Sequence, residues 1–167
     1  MPDTRFLIAL GSNQRHVRHG SPRQVISAAL SALEHANLSI IKYSAILSSR
    51  PVGPSSRSYA NAAAIIQTAL DPDELLILFK TIESDFGKRR GQPWSQRVLD
   101  LDIILWSEGS YSSDKPQLTI PHIMMRERLF VLRPAAEIAP KWRDPLSGLT
   151  ITQLASQLAA NSTSRTY

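Results

Sequence analysis

An α+β fold, with a mainly antiparallel sheet and helices packed on it, is predicted by three observations. Runs rich in β-formers, residues 6–10, 38–48 and 59–70, alternate with two segments of helical apolar spacing. Each helical segment opens on a polar residue followed by proline, Ser21-Pro22 and Asp71-Pro72, which caps a helix and presets its first turn. In residues 98–105, Asp100 and Asp102 alternate with Leu99, Leu101 and Ile103, the period of two expected of a strand with one face in a core.

The elements follow in order. Phe6-Leu7-Ile8-Ala9-Leu10 reads as a buried strand running into the turn Gly11-Ser12-Asn13. Val25, Ile26, Ala29, Leu30 and Leu33 give the first helix its apolar face. The β-rich run 38–48 ends before the rigid loop Arg50-Pro51-Val52-Gly53-Pro54, and residues 59–70 form the next strand. Asp71-Pro72-Asp73-Glu74 starts a second helix with the stripe Leu75, Leu76, Leu78, Phe79 and Ile82, ended by Gly87. A basic loop, 88–96, leads into the strand of Asp100 and Asp102. Residues 107–116 are expected as a polar loop, and Leu118-Thr119-Ile120 as a short strand stopped by Pro121. Residues 130–138 are expected to be helical in pieces broken at Pro134. Residues 150–159 form a final amphipathic helix and 161–167 a frayed tail, leaving one domain over 1–160. The order β-α-β-β-α-β is the split βαβ, ferredoxin-like pattern. That fold hosts many functions and decides none.

The composition narrows the classes. A chain of 167 residues with 43% hydrophobic and 20% charged residues suits one core. With no cysteine, disulfides and thiolate zinc sites are excluded. No apolar run approaches the roughly 20 residues that span a bilayer, and the N-terminus enters a strand directly, so a cytoplasmic protein with no membrane partner is expected. Nothing demands an oligomer, and a monomer is expected. The net charge is +5 and the pI about 9.9, which favours a polyanionic ligand. Lys88-Arg89-Arg90 and Arg97 lie beside the aspartates. Mixed signs fit a metal–nucleotide site, whereas duplex binding favours a basic stripe free of carboxylates. The aromatic-rich strand signature of RNA-stacking modules is absent, so no nucleic-acid partner is expected.

Asp100 and Asp102 are the sharpest candidates. Aspartate is disfavoured in strands, and two carboxylates on one face repel unless a cation sits between them. Such oxygen ligands suit Mg²⁺, usually held by one or two carboxylates together with substrate phosphates. The competing reading is a solvated strand face paired with surface cations. Other residues carry similar pairs of readings. Lys88, Arg89 and Arg90 either complement the helix C-terminus or form a loop over phosphates, with Gly87 and Gly91 allowing it to move. Trp94 either anchors its loop or stacks on a planar ring. Tyr59 and Asn61 share a strand face, and the Asn amide can read a ring's donor and acceptor edge. His122, Arg128 and Phe130 gain interest only with the rest.

Taken together, these pieces resemble the 6-hydroxymethyl-7,8-dihydropterin pyrophosphokinase family of folate synthesis. The matching blocks are Gly11-Ser12-Asn13, Pro51-Val52-Gly53-Pro54, Tyr59-x-Asn61-Ala62, Glu83 with the basic cluster after Gly87, and Trp94-x-x-Arg97-x-Leu99-Asp100-Leu101-Asp102-Ile103. Leu118-Thr119-Ile120-Pro121-His122, Met125-x-x-Arg128-x-Phe130-Val131-Leu132 and Glu137-Ile138-Ala139-Pro140 follow in the family's order. The resemblance implies transfer of pyrophosphate from ATP to the pterin hydroxymethyl group, leaving AMP. It implies that Asp100 and Asp102 hold two Mg²⁺ ions on the triphosphate, and that Lys88, Arg90 and Arg97 serve the phosphates and the transfer. Glu83, Ile103, Thr119, His122 and Arg128 would join the ATP site. Ser49, Val52, Tyr59 and Asn61 would bind the pterin, with its ring between Trp94 and Phe130. The chain departs from the family's usual pattern at Trp94-Ser95-Gln96-Arg97, Gly87-Lys88-Arg89-Arg90 and Ser49-Arg50-Pro51.

Overall fold

The computed structural model describes residues 2–49, 58–87 and 98–164. β1 (Thr4–Ser12) leads to α1 (Pro22–His35), β2 (Ser39–Tyr43), β3 (Leu47–Ser49), β4 (Tyr59–Thr68), α2 (Pro72–Asp85) and β5 (Asp100–Trp106). Then come β6 (Tyr111–Asp114), β7 (Gln117–Ile120), a 3-10 turn (Met125–Glu127), α3 (Leu129–Ile138) and α4 (Ile151–Thr163). The main sheet runs β2-β4-β1-β5, with β3 also paired to β4, and these pairings are antiparallel. With β2 and β3 taken as one interrupted strand, this is the ferredoxin-like arrangement.

Alternation along the strands sorts the interior into two cores. Phe6, Ile8 and Leu10 of β1, Ala62, Ala64 and Ile66 of β4, and Leu101 and Ile103 of β5 pack with Val25, Ile26, Leu33, Leu75 and Phe79 of α1 and α2. Leu7 and Ala9, Ala63 and Ile65, and Ile104 and Leu105 face the other way, against Val131, Leu132, Ala135 and Ile138 of α3 and Ile151 and Leu154 of α4. A register shift between Leu7 and Ile8 puts neighbours Ile104 and Leu105 into the same core, as a bulge does. The helix starts are built as the sequence indicates. Ser21 with Gln24, and Asp71 with Glu74, form reciprocal capping boxes, each followed by proline. Thr150 and Gln153 cap α4 in the same way.

Four expectations are corrected. Residues 38–48 are not one strand: they break at Ser44, whose N–H donates to the Ala63 carbonyl (2.9 Å) and whose hydroxyl accepts from the Ala63 N–H (2.9 Å). The Glu137 carboxylate of α3 accepts the Ala45 N–H at 3.1 and 3.3 Å and holds the break. The loop expected over 107–116 contains β6, hairpinned to β7. Its Tyr111 ring meets Trp106 edge-on at 5.8 Å, and the Tyr111 hydroxyl donates to Asp73 at 2.8 Å; this packing overrides the polar composition. α3 is one helix despite Pro134. The lost N–H is tolerated where Val131, Leu132, Ala135 and Ile138 are all buried. α4 continues through Thr163, so Asn161, Ser162 and Thr163 are helical rather than a tail.

An ion pair with a buried carboxylate ties the 3-10 turn to the segment before α4. Arg126 donates two 2.7 Å hydrogen bonds to the Asp144 carboxylate, which also accepts from the Ser147 hydroxyl and the Leu146 N–H. Burial alone would raise the Asp144 carboxyl. The Arg126 bonds, helped by Ser147 and Leu146, outweigh it and hold the carboxyl at about 2, below its ordinary 3.8. A depressed carboxyl stabilises above its unfolded pKa and loses that contribution as pH falls toward the folded one. Asp144→Asn is therefore expected to lower stability by about 2 kcal/mol near neutrality. In urea unfolding, the gap between wild type and variant should shrink between about pH 4 and about pH 2; a gap independent of pH would contradict the assignment.

Candidate functional site

The sheet face that carries α3 and α4 is covered only in part. Register places Asn61 of β4 and Asp100 of β5 on either side of Gly11. In the next row on this face, Ala63 and Asp102 flank Ala9. Small residues in the middle strand leave a floor between the polar side chains. A Cβ at Gly11 would lie 3.3 Å from Asn61 Oδ1, so the missing side chain is what lets the amide occupy its place. Above this floor is a cavity of about 540 Å³. Its walls are Ser12 at the end of β1 and Asn13 after it, Tyr59 and Asn61 of β4, Asp100 and Asp102 of β5, and Arg128, Phe130 and Val131 at the start of α3. A neighbouring space of about 510 Å³, lined by Leu47, Ser48 and Arg133, shares Tyr59, Asn61 and Phe130 with it.

The two aspartates share a face as their spacing requires. Leu99 and Leu101 are fully buried and Ile103 is 2% exposed on the opposite side, while Asp100 is exposed and Asp102 half-buried. His122, just after β7, donates its N–H to the Ile104 carbonyl at 3.0 Å. Its Nδ1 accepts from Met124 N–H at 3.1 Å, which leaves the ring proton on Nε2, 3.8 Å from Asp102 Oδ1. Burial pushes the His122 pKa down, Asp102 opposes this, and Arg128 adds to the lowering. The neutral imidazole thus lies beside Asp102 on the β7 side, beyond hydrogen-bond distance. The Arg128 guanidinium lies 5.6 Å from the centre of the Phe130 ring, a cation–π distance. Tyr59 and Phe130 keep 44% and 52% of their surface exposed, unusual for two aromatics in one cavity and suited to receiving a planar ring.

Glu83 stands behind the cavity. It is 4% exposed, and its Oε1 accepts the Leu101 N–H at 2.8 Å while Oε2 meets Lys80 Nζ at 3.2 Å. It fixes the backbone of the residue between the two aspartates. The Ile103 side chain lies in the helix-side core, so only its backbone is available to a ligand. Thr119 is exposed on β7, and Ser49 ends β3 opposite Tyr59. Val52, Lys88, Arg90, Trp94 and Arg97 lie outside the described residues. The sequence reading takes Gly11-Ser12-Asn13 as a turn and a family block, and Val131 as part of another block, but gives neither these residues nor Ala9 a role in the site. The pattern that exposes the floor is the drop from Leu7 to Ala9 to Gly11 at alternate positions of an otherwise bulky strand.

Among the described residues no three His, Asp or Glu side chains converge as a complete metal cage. Two aspartates in one open cavity are nevertheless an all-oxygen donor set of the kind that holds Mg²⁺ when phosphates complete its shell. Glu83→Ala should leave the Leu101 N–H without its partner, a loss of roughly 1–3 kcal/mol. Hydrogen exchange at the Leu101 amide should accelerate more than at Phe6 or Ile66; uniform acceleration would indicate only global destabilisation.

The family model described as 7,8-dihydro-6-hydroxymethylpterin-pyrophosphokinase matches residues 7–140. Similar curated proteins carry the name 2-amino-4-hydroxy-6-hydroxymethyldihydropteridine pyrophosphokinase. One from Haemophilus influenzae is 39% identical over 91% of this chain and 91% of its own length. One from Pseudomonas aeruginosa is 38% identical over 84% of each. One from Synechocystis is 42% identical over 74% of this chain, which spans 62% of that protein. A crystal structure of Plasmodium falciparum HPPK-DHPS superposes with a TM-score of 0.74 over 98% of this chain and 46% of its own, at 13% identity, a likeness of fold. Among the described residues no helix is long and apolar enough to cross a membrane.

Proposed function

The chain belongs to the 7,8-dihydro-6-hydroxymethylpterin-pyrophosphokinase family, and from that premise we propose that its cavity transfers pyrophosphate from ATP to 6-hydroxymethyl-7,8-dihydropterin. The observation that carries the reading is the shared floor: Asn61, Gly11 and Asp100 in one row, with Asp102 one step along. A ring recognised by Asn61 thereby has its hydroxymethyl arm directed along the sheet toward the aspartates.

Each residue has a physical task in this reading. Asn61 supplies one amide acceptor and two donors to the pyrimidine edge. Tyr59 and Phe130 offer ring faces; by the family resemblance Trp94 would stack opposite Phe130, and Ser49 and Val52 would meet the remaining edge. Asp100 and Asp102 would hold Mg²⁺, two ions by the family resemblance. The metal supplies charge neutralisation and alignment of the triphosphate. Arg128, at the cavity wall, adds a fixed cation. Lys88, Arg90 and Arg97 would bind the phosphates and offset charge that develops as the acceptor hydroxyl replaces AMP at the β-phosphorus. Glu83 holds Leu101, and His122, Thr119 and the Ile103 backbone would border the nucleotide. Catalysis of this kind is largely positioning and electrostatics, and the described site is rich in both.

The purified protein, given Mg-ATP and 6-hydroxymethyl-7,8-dihydropterin, should form AMP and a pyrophosphorylated pterin with no ADP, as read by chromatography. Folded protein that binds Mg-ATP yet forms no AMP would turn the reading toward a different pterin-like acceptor or a catalytically silent relative. Asp100→Ala and Asp102→Ala should each lower kcat by roughly a hundredfold or more with circular dichroism unchanged. Near-wild-type turnover in both would remove the metal assignment. Gly11→Ala should weaken pterin binding by roughly three- to tenfold and leave Mg-ATP affinity largely intact, because the added methyl meets Asn61. Equal losses for both ligands by calorimetry would mean the whole floor had shifted.

A further inference from the structure

The β1–α1 connection carries a histidine pair that the reaction as described does not use. His16 and Gly20 close it as a small hairpin through two 2.8 Å backbone hydrogen bonds, with Gly20 at φ +91°. The His16 Nδ1 accepts the backbone N–H groups of both Arg18 and His19, each at 3.0 Å. The His16 and His19 rings stack at 4.6 Å, and the His19 ring stacks on Phe86 at 4.9 Å. Phe86 is the C-cap of α2, three residues beyond Glu83. The connection therefore begins at Gly11-Ser12-Asn13, a wall of the cavity. It is fastened at His16 and His19 to the helix turn that holds Leu101 between the two aspartates.

This fastening requires an uncharged His16. A proton on Nδ1 would face two N–H donors already pointed at that atom, so both hydrogen bonds would be lost. The charge would also stand beside its neighbours. Burial, His19 and Arg18 all push the His16 pKa down from 6.5, and only the Phe86 backbone acceptor acts in the opposite sense. Among the described residues, the loop presents Arg15, Arg18 and His19, of which Arg15 and Arg18 are exposed. The α2 turn presents the Phe86 ring and backbone, with Asp85 exposed beside it. Arg23 of α1 is engaged by the Ile46 carbonyl at 2.7 Å. The described surroundings contain no carboxylate bonded to the ring that would reward its protonation.

We propose that His16, in its neutral Nε2–H form, is a positioning residue of the cavity: it fastens the β1–α1 loop to the end of α2, and its protonation releases that wall. The activity part of this inference rests on the pyrophosphokinase reading; the fastening itself does not. Releasing the loop frees Asn13 and Ser12 at the cavity edge and loosens the last turn of α2, so acidification should weaken substrate binding before it unfolds the protein.

Two variants separate this from a simple structural role. In His16→Asn the side-chain carbonyl can accept the same two N–H groups but does not titrate; His16→Ala offers no acceptor. Histidine-ring NMR on the wild-type protein should show His16 as the Nε2–H tautomer, titrating below 6.5. It should also show the Arg18 and His19 amide resonances moving with the same midpoint. The kcat/KM for pterin-dependent AMP formation, followed from about pH 5 to about pH 8, should fall on the acid side less steeply in His16→Asn than in wild type. His16→Ala should have a KM raised by about threefold or more across the range. Restoration by Asn is the outcome a mere space-filling role would not give. A His16 that titrates at or above 6.5, or Arg18 and His19 amides that ignore its titration, overturns the fastening. Identical acid limbs in wild type and His16→Asn overturn its link to activity. If no AMP forms at all, the pyrophosphokinase reading fails and the NMR titration still decides the fastening.

Discussion

Everything functional in this molecule depends on the incomplete covering of one sheet face. β1 is the centre of the sheet and presents large residues, Phe6, Ile8 and Leu10, to α1 and α2. On its other face it tapers from Leu7 through Ala9 to Gly11. α3 and α4 cover the wide end, where Leu7, Ile65, Ile104 and Leu105 need burial. At the tapered end there is little apolar surface to bury, and among the described residues no helix lies over it. The polar ends of β4 and β5 can therefore face a cavity without being desolvated. Two carboxylates on one strand face are tolerable there, because Asp100 is exposed and Asp102 only half-buried, and the space between them is open to a cation. In the covered half the same pair would carry a large desolvation cost.

The sequence discloses this division unevenly. Strong periodicity made the main elements legible: the capping boxes at Ser21 and Asp71 mark helix starts directly, and Asp100-Leu101-Asp102 announces its own faces. The β6–β7 hairpin was hidden because its residues, Tyr111 to Asp114, are polar. Their strand conformation is set by Tyr111 packing on Trp106 and bonding to Asp73, partners distant in sequence. The break at Ser44 was hidden for a similar reason, since Glu137 that secures it is supplied by α3. Pro134 misled in the opposite direction: a local breaker was overruled by burial on both sides of it.

The candidate site shows the same pattern. Side chains that carry chemistry on their own, such as Asp100, Asp102, Tyr59 and Asn61, could be picked out from residue type and spacing. Residues whose contribution is to be small, above all Gly11 and Ala9, could be placed only once register showed what stands beside them. Glu83 is the instructive intermediate. The family resemblance implies a place for it in the ATP site. Its 4% exposure and its bond to the Leu101 N–H show a further task, bracing the strand between the two aspartates.

That brace connects the two faces of the sheet. Glu83 comes from α2, on the side opposite the cavity, and reaches the β5 backbone at the residue whose neighbours point into it. The same helix turn ends at Phe86, where the β1–α1 loop docks through His19 and His16. The start of that loop is the far wall of the cavity. One helix end is thus tied to the acidic strand by a buried carboxylate and to the opposite wall by stacked rings. Neither tie touches the position a reacting group would take. A ligand that fills the cavity draws on geometry set from behind the sheet, and disturbing either tie alters both sides of the cavity together.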